Sequence, residues 1–284
     1  MAPIFTGSKF GFGRSESATT TSALSPITAT GGSTSTPGDG YKYHTYTSPG
    51  PASFEVQSGN NVVEFLVVGG GGGGGDGGDF AGGGGGAGGL VYSSAVPVVP
   101  GTYSITIGLA GLNPKGPGSP TTLQFPNIGG GYTVTAQGGG GGGSRPAPNG
   151  DSGGSGGGTG RTPATAGSGD QPGLNPGFPF IISQYGNPGF LYPKNGNDAG
   201  GDGGSSNASN NSSVNATFPN SSTILSGSPI GPEAIARGGL GPLSSAGGSQ
   251  GPSWPGSSYG SGGAGGKSAG TNGINGCCVI RYLV

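Results

Sequence analysis

Gly69–Gly75 is an unbroken run of seven glycines, and it constrains the fold more than any other stretch of the chain. A segment without side chains has no apolar surface to bury, so it adds nothing to a hydrophobic core. Ordering it is also costly: glycine inside a regular element loses about 0.5–1 kcal/mol per residue relative to Ala. The run is not alone. Further blocks lie at Gly82–Gly86, Gly138–Gly143 and Gly153–Gly158, and others surround Asp202, Leu240 and the stretch Gly260–Gly266. In all, 74 of 284 residues are Gly and 25 are Pro. Such a composition usually marks low complexity or disorder. Collagen is excluded, because the glycines come in blocks and not at every third position.

Two physical states are open to these blocks. Gly/Ser-rich stretches are ordinarily flexible linkers. Alternatively they are rods in the polyproline II conformation, with three residues per turn and a rise of about 3.1 Å per residue. Such rods make no internal hydrogen bonds, and without β-carbons they approach closely enough to bond to one another. The blocks alternate with strand-like and aromatic segments, which favours ordered rods. Interruptions within them are mostly Ala, Ser and Asp, with Leu240 the large exception. The expected fold class is mainly β and irregular. It consists of short β-strands, sandwich-like, packed with bundled polyglycine II helices, and has almost no α-helix.

Charge is scarce: only 7% of residues, with a formal net charge of −1. That balance offers no footprint for nucleic acid or anionic lipid. The hydrophobic fraction, 29%, is too low for a large conventional core. No apolar run is long enough for a membrane-crossing helix, so no membrane insertion is expected. The first residues lack the basic and apolar regions of a secretory signal. Cys277 and Cys278 are the only cysteines. Adjacent thiols rarely bridge, and they read as small apolar fillers.

The chain divides into an extended anchor plus linker over 1–40 and a head over 41–284. In the first segment Ile4, Phe5, Phe10 and Phe12 stand apart, separated by Gly and Ser, as plugs for pockets on another subunit. Strands are expected through Tyr41, Tyr43 and Thr45, at Phe54–Val56, and from Val62 to Val68, with turns at Pro49–Gly50 and Gly59–Asn60. Further strands are expected at Tyr103–Ile107, TTLQF, GYTVTAQ and the closing INGCCVIRYLV. Residues 170–194 are rich in Pro and aromatics, 205–230 in Asn and Ser.

Motifs with chemical meaning are weak. GGKS at 265–268 has Ser261 where a phosphate-binding loop needs Gly, and G-x-G-x-x-G recurs by chance in such a composition. His44 is the sole histidine, and in its YKYHTY run it reads as a surface or packing residue. Asp76, Asp79, Asp151, Asp170, Asp198 and Asp202 punctuate the blocks, but a Ca²⁺ site needs six to eight oxygen ligands. The N-x-S/T matches at Asn207, Asn210, Asn211, Asn215 and Asn220 reflect composition. No metal, no cofactor and no enzymatic activity are expected.

The order VVEFLVVGGGGGGGDGGDFAGGGGGAGGLVY, VPGTYSITIG, TVTAQGGGGGG and GINGCCVIRYLV resembles the glycine-rich domain of bacteriophage tail-fibre and virion proteins. The resemblance covers about residues 41–284. APIFTGSKFGFGRS is similar to an N-terminal attachment peptide of tail-fibre-like proteins of marine and cyanobacterial phages. The blocks more loosely resemble the polyglycine sandwich of adhesins at the tips of T-even-type fibres. Cys277–Cys278 departs from the family's usual Val or Ile. The resemblance implies a protein of the virion surface, joined to other virion proteins through its N-terminus. It also implies a homo-oligomer, plausibly a trimer, whose loops meet a glycan or protein receptor on the host. Candidate contacts are Phe178, Phe180, Tyr185, Phe190 and Tyr192, with Trp254 and Tyr259, because exposed loop aromatics suit stacking on sugars or protein pockets. The same side chains could instead pack over the rod ends. Two other readings stand beside this one: a capsid decoration subunit without receptor binding, and a free glycine-rich extracellular or ice-binding protein.

Overall fold

The computed structural model describes residues 24–78, 81–161, 163–191, 203–204, 224, 228, 230, 235–241, 259–266 and 268–284. Ten strands run in chain order: β1 Ser25–Thr30, β2 Ser33–Ser35, β3 Tyr41–Tyr46, β4 Gly50–Val68, β5 Leu90–Val98, β6 Gly101–Ile107, β7 Thr121–Phe125, β8 Tyr132–Ala136, β9 Ser183–Tyr185 and β10 Cys277–Leu283. Every pairing is antiparallel. Almost no helix occurs among the described residues; a single 3₁₀ turn spans Gln171–Gly173.

β4 organises the sheets. Its first half pairs with β1 and β6, in a sheet that continues to β7 and β8. Its second half pairs with β5 and β10, in a sheet that continues to β9 and to β3 and β2. The turn expected at Gly59–Asn60 is therefore absent, and the strand runs unbroken for 19 residues. Gly59 bends it at φ +92°, and Asn60 pairs with Ser25. A second difference lies in residues 24–40. Expected to be linker, they contribute β1 and β2 to the two sheets. Ser and Thr alternating with Ile27 and Ala29 are enough for a half-buried edge strand, and only Ile27 and Ala29 of β1 turn inward.

Inward side chains of both sheets share one core: Phe54, Val56, Phe65, Val67, Tyr103, Ile105, Leu123, Phe125, Val134 and Ile280 among them. The alternate residues Leu66, Val68, Leu90, Cys277 and Val279 form a second cluster on the opposite face of the β4–β10 sheet. That sheet is buried on both faces, as the continuous apolar run of β10 requires.

The glycine blocks continue the strands as rods. In the sheet Val68 faces Leu90. Beyond it, Gly69, Gly72 and Gly75 donate to the carbonyls of Gly89, Gly86 and Gly83. The register is unchanged, but contact now recurs at every third residue in place of every second. The same happens beside β10, where Val68 faces Cys277 and Gly71 and Gly74 donate to Ile274 and Thr271. Beyond β6 and β7, Ser119 and Gly116 donate to Leu109 and Leu112. A threefold repeat of hydrogen bonds with no internal pairing is the signature of polyglycine II rods.

Rod 69–75 has six neighbours. Its N–H groups reach rods 83–89, 116–119 and 271–274. Its carbonyls accept from three more: Gly70 and Gly73 from Gly139 and Gly142, Gly71 and Gly74 from Gly111 and Lys115, and Gly72 and Gly75 from Gly263 and Gly266. Every amide from Gly69 to Gly75 thus has a partner, as burial demands. Rods 116–119 and 138–143 extend one sheet, and rods 69–75 and 82–89 the other. In the sandwich those sheets stand about 10 Å apart, separated by side chains. In the rod region the two layers bond directly to each other.

That closeness explains the composition. A β-carbon on Gly72 would overlap the carbonyl of Gly140, and one on Gly85 that of Gly72. Ala87, by contrast, has its methyl in the second apolar cluster. Gly85→Ala is expected to cost about 1–3 kcal/mol through forced displacement of a rod. Ala87→Gly should cost about 1 kcal/mol or less. Denaturant unfolding of both variants decides; equal costs would mean the rods tolerate side chains.

Candidate functional site

The segment 171–191 crosses one side of the sandwich and carries most of the aromatic side chains singled out by sequence. Its placement is set by side-chain amides. Thr135 N donates to Asn175 Oδ1 (2.8 Å), and Asn175 Nδ2 donates back to Thr135 O (2.9 Å). Gln137 N donates to Gln171 Oε1 (2.7 Å). Gln171 Nε2 and Asn175 Nδ2 both also donate to Gln184 Oε1, on β9. The two amides thereby occupy part of the outer edge of β8, tying the segment to both sheets. Ser93 Oγ–H donates to Ile181 O (2.8 Å), and the Tyr132 hydroxyl to Pro176 O (2.9 Å).

This anchoring turns several expected contact residues inward. Phe178 sits among Phe65, Phe125, Tyr132 and Phe180, with ring centroids 4.9–6.2 Å away. Phe180 and Phe178 both pack against the main core. Tyr185 lies on β9, opposite Leu90, and packs against the second cluster, as does Tyr259. These four are packing residues: Phe178 and Phe180 close the open side of the sandwich core, and Tyr185 and Tyr259 cover the second cluster. Phe190 remains 37% exposed, and its carbonyl accepts from Thr159 N. Sequence reasoning missed the aliphatic side chains of this surface, Ile181 (88% exposed), Leu191 (58%) and Leu174 (39%). Tyr192 and Trp254 lie outside the described residues, as do Ile4, Phe5, Phe10 and Phe12.

A charged row crosses the second sheet. Arg281 on β10 stands opposite Tyr43 on β3 and Glu64 on β4. Its Nη2 donates to Glu64 Oε2 (2.8 Å), and its Nη1 to the Tyr43 hydroxyl (3.1 Å). Tyr92 O–H donates to the same Glu64 oxygen, and Tyr43 O–H to Asp39 Oδ2. The guanidinium stacks 4.1 Å from the Tyr41 ring centre. Burial, reinforced by the Glu64 charge, pushes the Tyr92 hydroxyl up to about 12, so it stays a donor. The row joins the four strands β3, β10, β4 and β5.

His44 is fully buried. Nδ1–H donates to Gly31 O (2.7 Å), which fixes the tautomer and leaves Nε2 to accept from the Tyr282 hydroxyl (3.4 Å). Phe54 meets the ring edge-on and Tyr282 stacks on it. Burial holds its pKa below the usual value. Both cysteines are buried, and burial raises the Cys277 thiol to about 12 and the Cys278 thiol well above its ordinary value. They are protonated fillers, too basic to act as nucleophiles at neutral pH. Asp76 closes the end of rod 69–75, accepting from Asn113 Nδ2 and Gly270 N. Lys115 pairs with Asp151 (2.8 Å). An open cleft of about 410 Å³ beside the β1–β2 and β3–β4 turns carries the hydroxyls of Ser33, Thr47, Ser48 and Ser53 and no charged group.

A family of glycine-rich domains matches residues 45–283, most of the chain. The chain belongs to the glycine-rich domain family. The match takes in both sheets from the end of β3 onward and every glycine rod, so the glycine-rich domain is the sandwich and its rod extension together. No curated protein matches the chain.

Two predictions test the buried polar groups of the domain. Arg281→Met leaves the Glu64 carboxylate unpaired and should cost about 3–5 kcal/mol. Adding Glu64→Leu should restore most of it, as read in a double-mutant cycle by denaturant unfolding. His44 is uncharged in the folded state, while the unfolded chain protonates it near its ordinary value of 6.5. Stability is therefore full above that value and declines as pH falls beneath it. Unfolding midpoints between about pH 7.5 and about pH 5.5 should fall for the wild type more than for His44→Gln.

Proposed function

We propose that this glycine-rich domain protein is a structural component of a phage virion, held by its N-terminal segment and directed toward the host surface. The observation that carries the reading is the six-neighboured rod lattice. A bundle locked by backbone hydrogen bonds is a stiff spacer, suited to a fibre or spike that must transmit contact without bending. The segment order that resembles phage tail-fibre and virion proteins supports the same reading. Other virion proteins are the partners at the N-terminus, and the head is not an enzyme. Its buried Arg281 is paired with Glu64, its histidine is enclosed and burial keeps its thiols protonated.

A second reading is favoured by one finding. Phe178, Phe180, Tyr185 and Tyr259 are packing residues, which leaves the described head with few aromatic contacts to offer a receptor. A decoration subunit without receptor binding needs none. On the receptor reading, the exposed large apolar side chains of segment 174–191 are Phe190 with Leu174, Ile181 and Leu191.

Mass spectrometry of purified virions should detect the chain, and removal of residues 1–15 should release it from particles. Virions carrying the triple change Ile181→Ser, Phe190→Ser and Leu191→Ser should adsorb to cells several-fold more slowly if this surface meets the receptor. Unchanged adsorption with the chain still on the particle favours the decoration subunit. Absence from virions sinks both readings.

A further inference from the structure

Among the described residues, three Asn–Gly dipeptides lie in the rod region: Asn149–Gly150, Asn272–Gly273 and Asn275–Gly276; a fourth, Asn195–Gly196, falls outside the described residues. In an open chain this pair is a chemically labile one, since Asn is among the thermolabile residues and a following Gly leaves its own peptide nitrogen unobstructed. The rod lattice demands both members at 272–276. A β-carbon at Gly273 would overlap Gly71 O, and one at Gly276 would overlap Val68 O. Asn272 Oδ1 accepts from Asn113 N (2.8 Å), and Asn275 Oδ1 from Ala110 N (2.8 Å). Each side-chain carbonyl thus serves as a lattice carbonyl toward the rod that follows β6.

We propose that Asn272–Gly273 and Asn275–Gly276 are latent self-modification sites, blocked by the lattice and released when rod 271–276 opens. The reaction is intramolecular. The Gly nitrogen loses its proton and attacks the Asn side-chain carbon; a C–N bond forms, the amide C–N bond breaks, and ammonia leaves. Water then opens the cyclic imide to aspartate or isoaspartate, with no oxidant or cofactor involved. In the folded chain the attacking nitrogens are engaged: Gly273 N donates to Gly111 O and Gly276 N to Gly108 O, both at 2.9 Å. The Asn oxygens are held by a different rod from the one that carries the attacked carbon. Turning the side chain back onto its own backbone breaks both bonds. Asn149–Gly150 is held the same way, with Gly150 N donating to Thr165 O and Asn149 Oδ1 accepting from Thr165 N. Asn149 and Asn272 are exposed to solvent, so hydrogen bonding, not burial, provides the block. Isoaspartate lengthens the backbone by one carbon and destroys the threefold register, so a rod that has reacted does not return to the lattice.

The full-length chain is incubated in mildly alkaline buffer, native and in urea, and peptides spanning each site are followed by mass spectrometry for replacement of –NH₂ by –OH. All three sites should react in urea. In the native chain they should be slower by a factor on the order of a hundred, set by the local opening equilibrium. Protein aged in urea should refold in proportion to its unreacted Asn272 and Asn275. Native Asn272–Gly273 reacting at the urea rate overturns the proposal, as does full refolding of protein that carries isoaspartate at both positions. Either result leaves the virion reading untouched.

Discussion

Peptide-to-peptide hydrogen bonding between side-chain-free rods is the interaction on which the rest of this structure depends. Each bond is worth only about 0.5–1.5 kcal/mol net. In a lattice where every N–H of rod 69–75 and the carbonyls of Gly70 to Gly75 are engaged with six neighbours, the bonds offset the entropy that glycine loses. The lattice has a strict steric condition, because neighbouring carbonyls stand where β-carbons would be. Glycine is therefore not a spacer here. It is what permits the two sheets to come together.

The sandwich and the rods are one construction. Strand register passes unchanged from Val68–Leu90 into Gly69–Gly89 and from Val68–Cys277 into Gly71–Ile274. The apolar core aligns the strands, and the aligned strands deliver the rods in phase. Neither part stands well alone. The core is small for a chain of this length, and glycine rods without strands to set their register would be linkers. The shared strand β4, bent at Gly59, links both sheets to the central rod.

Polar groups within this frame are arranged for cohesion. Arg281 and Glu64 bind four strands together, and His44 closes the corner where Gly31 turns. Gln171 and Asn175 cover part of the β8 edge with side-chain amides, which hinders that edge from pairing with another chain. These devices hold the framework together, and the glycine-rich domain family match spans nearly all of it.

Much of this was legible in the sequence. Alternation at Tyr103–Ile107 and in TTLQF marks half-buried strands, because side chains of a strand alternate between its faces. The length of the glycine blocks and the small size of their interruptions announce close backbone packing. What could not be read is where distant segments meet. Gly59–Asn60 has the composition of a turn, yet β1 pairs alongside it, with Ser25 opposite Asn60 and Thr28 opposite Ser58, and keeps the strand extended. Phe178 and Phe180 look like exposed loop aromatics, but amide anchors from Gln171 and Asn175 fold them over an open core. Arg281 and Glu64 are 217 residues apart and become partners only through strand register. Composition and local periodicity determined most of the strands and the glycine-block rods, since those depend on each residue's own side chain, but not β1, β2 or the unbroken run of β4. The tertiary structure alone decided the sixfold rod contacts, the shared strand and the burial of the loop aromatics, since those depend on which backbone lies alongside.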